Sequence, residues 1–168
     1  MLKYNLIQNY KGVQFEILKE DPNIYFRYQN VQLNYPNYLK IIPFLGLDNL
    51  DLNNKNILVT GLGLGVIPQW IIENNSTSTV DVIEMDQELI TSISDMGHLS
   101  PSINIISGDA NTFIPTSNYD LIIFDHFAME DENTLPSLNT LQNHYNNYIN
   151  IGGIIKCPEM ISYSYIKE

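Results

Sequence analysis

The sequence predicts an α/β domain with a doubly wound, mostly parallel sheet. Three observations lead there. From Asn56 onward, short apolar runs alternate with helical patterns, the order that parallel strands with crossover helices require. The runs are continuously apolar rather than alternating, as in strands covered on both faces. The first of them, Ile57-Leu58-Val59-Thr60, feeds a cluster of glycines, where a strand must turn sharply into a helix.

The elements follow in order. Residues 13–18 and 24–28 are rich in β-branched and aromatic residues, and Glu20-Asp21-Pro22-Asn23 between them carries turn residues. A β-hairpin is expected there. Residues 38–45 form a short apolar run with Pro43 inside it, expected to be a helix broken near its end. Residues 48–55 are polar and mark the expected boundary between a small N-terminal hairpin/helix segment, 1–47, and an α/β domain, 48–168. Within that domain, strands are expected at 57–60, 80–85, 103–106, 119–125 and 153–157. Helices are expected at 66–74, 87–96 and 136–149, the second with Leu89, Ile90 and Ile93 on one face. Residues 161–166 are too few for a closing hairpin of two strands. The sheet is therefore expected to be shortened to five or six strands, or completed at its edge by a partner.

Composition excludes several classes. A length of 168 residues fits one domain with a substantial core. The net charge of −11 repels phosphate backbones, so no nucleic-acid partner is expected. The same charge either solubilises the surface or favours a cationic ligand. The longest apolar stretches, 41–47 and 61–67, are too short to span a bilayer. With no signal-peptide pattern and the single cysteine Cys157, a reducing, cytoplasmic setting is expected. His98 and His144 have no metal-ligand spacing with each other or with a cysteine, and no metal is expected. Tyrosines at 4, 10, 25, 28, 35 and 38 crowd the N-terminal segment. They form a packing face or a self-association surface, and a homodimer through this segment is one expectation.

Ligands of open α/β sheets bind beyond the carboxyl ends of the strands, and four strands here end in residues with chemical capacity. The first enters Gly61-Leu62-Gly63-Leu64-Gly65. With Val66 where a dinucleotide fingerprint needs its third glycine, the spacing disfavours a nicotinamide or flavin dinucleotide. The second ends in Glu84-Met85-Asp86, and Glu84 falls 23 residues after Gly61. An acid at that separation is placed to accept hydrogen bonds from both hydroxyls of a ribose. The third leads to Ser107-Gly108-Asp109-Ala110. Asp109 there either accepts a hydrogen bond from an adenine amino group or caps a short helix over 111–114. The fourth ends in Asp125-His126-Phe127. Asp125 is able to take a proton or hold an ammonium group. His126 offers either a base at neutral pH or a structural group.

These residues resemble class I S-adenosylmethionine-dependent transferases, most closely the spermidine synthase branch, over roughly residues 29–157. The resemblance rests on Ile57 through Gly65, on Val82-Ile83-Glu84-Met85-Asp86, on Gly108-Asp109-Ala110, on Tyr119 through Asp125, and on Gly152-Gly153-Ile154-Ile155. It implies a Rossmann-like sheet of the class I methyltransferase type. It also implies S-adenosyl-L-methionine, or its decarboxylated form, as cofactor. Gly61, Gly63, Gly65, Glu84, Met85, Asp109, Ala110 and, from the hairpin side, Gln29 would contact that cofactor. Tyr38 and His126 would line the acceptor site, and Asp125 would be the catalytic acid that accepts a proton from an attacking amine. The chain departs from the branch at Leu39, Leu64 and Ala128, where amine or aminopropyl recognition usually resides. The implied activity is therefore methyl or aminopropyl transfer to a small-molecule acceptor, with an amine as the expected class. The alternative is an adenosyl-ligand-binding protein or subunit without turnover.

Overall fold

The computed structural model describes residues 4–10, 13–20, 23–28, 31–34, 39–126, 134–157 and 164–167. Four N-terminal strands, β1 (Tyr4–Tyr10), β2 (Val13–Glu20), β3 (Asn23–Tyr28) and β4 (Val31–Asn34), pair antiparallel in that order. The expected hairpin is the centre of this sheet, β2 on β3, with Ile17 opposite Phe26. The flanking strands β1 and β4 extend it. Asn5, Gln8 and Asn9 in β1 and Gln32 and Asn34 in β4 are poor strand formers, which hid both from a sequence reading.

Helix α1 (Ile41–Leu45) contains Pro43 but is not broken by it. Pro43 falls in the first turn, where its missing N–H is not needed. The helix stops instead at Gly46, in the left-handed region at φ 64°, a common helix terminus. A 3-10 turn over Leu47–Asn49 follows. Leu47 in that turn and Leu52 in the polar connector are buried in the same core as Ile42 and Leu45.

The remaining elements are β5 (Asn56–Thr60), α2 (Val66–Asn74), β6 (Thr79–Glu84), α3 (Gln87–Met96), β7 (Ile103–Ser107), β8 (Tyr119–Phe124), α4 (Thr134–Tyr145), β9 (Ile149–Lys156) and β10 (Ser164–Ile166). They form a sheet of order β10-β9-β8-β5-β6-β7, in which the five strands from β9 to β7 are parallel. Only β10 runs antiparallel, against β9. Chain order reverses between β5 and β8, the position where such sheets open a crevice. Helix α4 ends at Tyr145, earlier than expected. Asn146 and Asn147 are weak helix formers, and the chain turns there to start β9 at Ile149.

Strand residues sort by parity onto two cores. Ile57, Val59, Val80, Val82, Leu121 and Ile123 pack with Ile67, Ile71, Ile93 and Met96 of α2 and α3. Leu58, Ile122, Phe124 and Ile155 pack on the other face with Leu138, Leu141 and Tyr145 of α4. The sheet is thus covered on both sides, which explains its unbroken apolar strands. Trp70 packs against the first core and Cys157 is buried in the second.

The amino ends of the strands are stapled by side chains. Asp120 accepts from the Asn56 N–H on β5 and from the Asn150 amide on β9, each at 2.9 Å. Asp81 on β6 accepts from Asn104 on β7 at 2.8 Å and from the Tyr119 hydroxyl on β8 at 2.7 Å. Burial, then the bond to Asp81, pushes the Tyr119 phenol well above its ordinary pKa. No helix among the described residues is long and apolar enough to cross a membrane.

Candidate functional site

The carboxyl ends of β5, β6, β7 and β8 bring together the glycine turn, Glu84, Asp109 and Asp125. Parallel pairing places Thr60 beside Ile83 and Phe124, and Glu84 beside Ser107. Backbone bonds continue the alignment past the strands. The Gly61 N–H reaches the Ile83 carbonyl (2.8 Å), the Gly108 N–H reaches the Glu84 carbonyl (2.9 Å), and the Asp125 N–H reaches the Thr60 carbonyl (2.9 Å).

Gly61, Gly63 and Gly65 all have positive φ, at 92°, 48° and 70°, a region L side chains avoid. Gly61 has a second constraint. A Cβ there would lie 2.5 Å from the Asp125 carbonyl oxygen, so two chain segments touch backbone to backbone at the reversal point. A Cβ on Gly63 would meet nothing within 4 Å, so this part of the loop is open. Leu62 and Leu64 are buried and anchor the loop to the core.

Glu84 ties the loop to the end of β6. Its Oε2 accepts the Leu62 N–H and its Oε1 accepts the Asp86 N–H, both at 2.9 Å. A carboxylate has about four acceptor positions, so each oxygen keeps a lone pair while the group stays fixed. Asp86 caps α3 through the Glu88 and Leu89 N–H groups. Between these acids, Met85 leaves 58% of its surface exposed. Asp109 caps no helix. Residues 110–112 form a turn, and Asp109 Oδ1 accepts both the backbone N–H and the side-chain amide of Asn111, at 2.9 and 2.8 Å. These bonds, with a smaller contribution from nearby His126, hold its carboxyl below the ordinary range. Ala110 is buried, and its carbonyl accepts the Tyr145 hydroxyl at 2.7 Å. Burial raises that phenol's pKa.

Asp125 leaves β8 at the reversal point, next to His126. The His126 Nδ1 lies 2.5 Å from Thr60 Oγ1, and Thr60 is fully buried. Burial lowers the imidazole to about 4, with Asp109 opposing the shift. Of the two roles open to His126, a base near neutral pH or a structural group, this environment favours the structural one. Desolvation penalises the imidazolium more than one neighbouring carboxylate favours it. Gln29, Tyr38 and Ala128 lie outside the described residues. Among the described residues, no three histidines, cysteines or acids gather to hold a metal.

Two contributors escaped the sequence reading. Thr60 is a polar residue ending a buried strand, a signal that it needs a partner. His98 donates from Nε2 to the Leu64 carbonyl at 2.8 Å, and nothing local in the sequence points to that contact. The strand ends thus offer an open glycine backbone, a fixed carboxylate with acceptor positions left over, an exposed apolar side chain, and a second carboxylate, Asp109, held below its ordinary pKa.

No family model matches the chain. Among curated proteins it is 25% identical to malonyl-[acyl-carrier protein] O-methyltransferases 2 and 1 of Ilyobacter polytropus, over 100 and 127 residues. These alignments cover 60% and 72% of this chain but 37% and 46% of the relatives, so the chain spans less than half their length. Among solved structures, a probable spermidine synthase from Corynebacterium glutamicum superposes with a TM-score of 0.67 at 18% identity, covering 90% of this chain and 62% of the other. The N-methyltransferase NodS of Bradyrhizobium japonicum, in complex with S-adenosyl-L-homocysteine, gives 0.53 at 16% identity, covering 71% and 59%. Coclaurine N-methyltransferase, bound to N-methylheliamine and S-adenosyl-L-homocysteine, gives 0.52 at 16% identity, covering 70% and 34%.

Proposed function

Proceeding from a fold shared with class I S-adenosylmethionine-dependent methyltransferases and a spermidine synthase-like protein, we propose that this chain is an S-adenosylmethionine-dependent transferase acting on a small-molecule acceptor, with an amine as the favoured class. The observation that carries the reading is Glu84, fixed by one N–H from the glycine loop and one from the end of β6. Its remaining lone pairs suit the paired hydroxyls of a ribose. The free Oδ2 of Asp109 suits an adenine amino group, and Met85 offers an apolar face for the base. The open backbone at Gly63 admits close approach, with Gly61, Gly65 and Ala110 shaping the walls. Gln29 and Tyr38 are further proposed contacts, to cofactor and acceptor respectively.

Bound S-adenosylmethionine, or its decarboxylated form, supplies an electrophilic carbon attached to a sulfonium. The protein's task is then to hold the acceptor in line with that carbon, and positioning supplies much of the acceleration. In this reading Asp125 accepts the proton an amine loses as it attacks. His126 is neutral at physiological pH and lines the acceptor side without competing for that proton.

Calorimetry with S-adenosylmethionine, its decarboxylated form and methylthioadenosine tests the binding, and turnover on small amines tests the chemistry. We expect binding, and we expect Asp125→Asn to lower kcat by about 100-fold or more with cofactor affinity nearly unchanged. Turnover that survives in Asp125→Asn removes Asp125 as the base. Tight binding with no turnover on any acceptor supports the adenosyl-ligand-binding protein instead. An absence of affinity for every adenosyl compound ends both readings.

A further inference from the structure

The glycine loop is held from beneath by a segment that carries none of the acids of the site. Helix α3 ends at Gly97, whose φ of 63° turns the chain back toward α2. Three consecutive residues then reach the loop and the helix it starts. His98 Nε2 donates to the Leu64 carbonyl at 2.8 Å. The Leu99 side chain lies against Gly65, with Cδ2 2.5 Å from where a Cβ would stand. The Ser100 N–H donates to Gln69 Oε1 at 2.7 Å, and Gln69 sits in the first turns of α2, its own N–H on the Gly65 carbonyl.

The loop is therefore gripped on both sides of its open residue. Glu84 holds the Leu62 N–H in front of Gly63, and His98 holds the Leu64 carbonyl behind it. This grip matters because three positive-φ glycines in five residues form a flexible stretch with many alternative conformations. A ligand that needs one of them binds with an apparent Kd equal to the intrinsic Kd divided by the population of that conformation.

We propose that His98 is a positioning residue for the adenosyl ligand: its imidazole N–H fixes the Leu64 carbonyl and keeps the glycine loop in its binding shape. The inference rests on the adenosyl-binding reading above. His98 acts on affinity through the loop, so the cofactor KM moves while kcat at saturating cofactor does not. The donor, not the ring volume, is the active feature.

The test measures S-adenosylhomocysteine binding by calorimetry, and KM and kcat for the cofactor, in the full chain carrying His98→Phe or His98→Gln. Phe keeps a ring but has no N–H to donate, whereas Gln keeps a donor of comparable reach. We expect His98→Phe to weaken binding by about 10-fold or more and raise the cofactor KM in parallel with kcat unchanged. We expect His98→Gln to recover most of the loss. Equal affinities for wild type and His98→Phe overturn the proposal, as does equal impairment of both variants, which would indicate packing alone. No binding by wild type sinks the functional reading and this inference together, whereas normal wild-type binding with an indifferent His98→Phe sinks this inference only.

Discussion

The two ends of the parallel sheet use acids in different ways. At the amino end, Asp120 and Asp81 each spend both oxygens on donors from other strands, so each ties three strands together. At the carboxyl end, Asp86 and Asp109 each accept two donors on one oxygen from their own turn, and Glu84 accepts one backbone N–H on each oxygen. The first arrangement turns both carboxylate oxygens toward donors on neighbouring strands and so holds the fold. The second fixes the carboxylate from its own turn or from the glycine loop, and on Asp86 and Asp109 it engages one oxygen only. Desolvation acts at His126, where the protein keeps a half-buried imidazole neutral beside exposed Asp109 and half-buried Asp125.

The sharpest way to break the carboxyl end is Gly61→Ala. The added carbon would sit 2.5 Å from the Asp125 carbonyl oxygen on a backbone at φ 92°, and neither strain can relax without parting β5 from β8. A loss of about 3 kcal/mol or more is expected in urea unfolding, against about 1–2 kcal/mol for Gly63→Ala, where the space is open and only the positive φ is strained. Acid should act at the same place. The folded-state pKa of His126 is depressed to about 4 from an ordinary 6.5, so between those values the unfolded chain binds a proton that the folded chain refuses. Its contribution is fully present above pH 6.5, falls as pH drops toward 4, and amounts to at most about 3 kcal/mol. Comparing wild type with His126→Asn in urea melts from pH 7.5 to 4 isolates it, and parallel curves would refute the assignment.

The smallest effects sharpen the contrast most. Asp81→Asn should cost about 1–2 kcal/mol by removing the charge that strengthens the bonds from the Asn104 amide and the Tyr119 hydroxyl, with cofactor affinity unchanged. Glu84→Gln should cost a similar amount, because an amide replaces an acceptor with a donor facing a backbone N–H. It should also weaken adenosyl-ligand binding about 10-fold or more. Calorimetry alongside urea melts separates the two, and equal affinity losses would dissolve the distinction between the sheet's ends.

Much of the fold was legible because β5, β6 and β8 are largely buried on both faces and therefore mostly apolar, and β7 keeps three isoleucines although it is an edge strand. Helices α2 and α3 matched their expected bounds because Gly65, Asp86 and Gly97 mark their ends. The misread pieces lacked such marks. Strands β1 and β4 carry amides among their apolar residues, α4 fades into Asn146 and Asn147, and the turn after Asp109 looked like a helix start. The abundant asparagines had no evident purpose in one dimension. Asn104 and Asn150 find it at the amino end, as side-chain donors to acids on neighbouring strands, and Asn56 as the acceptor of the Thr79 hydroxyl.

The sequence by itself determined the layered α/β class, the strand order of its motifs, and the gathering of Gly61, Glu84, Asp109 and Asp125 at one edge. Those follow from burial periodicity and from the rule that parallel strands all end on the same side. Only the tertiary structure decided that His126 is a half-buried neutral group on Thr60, that Glu84 bridges two turns, and that His98 pins Leu64. Each depends on which distant backbone atom lies within hydrogen-bonding reach once the strands are in register, and residue spacing alone does not encode that distance.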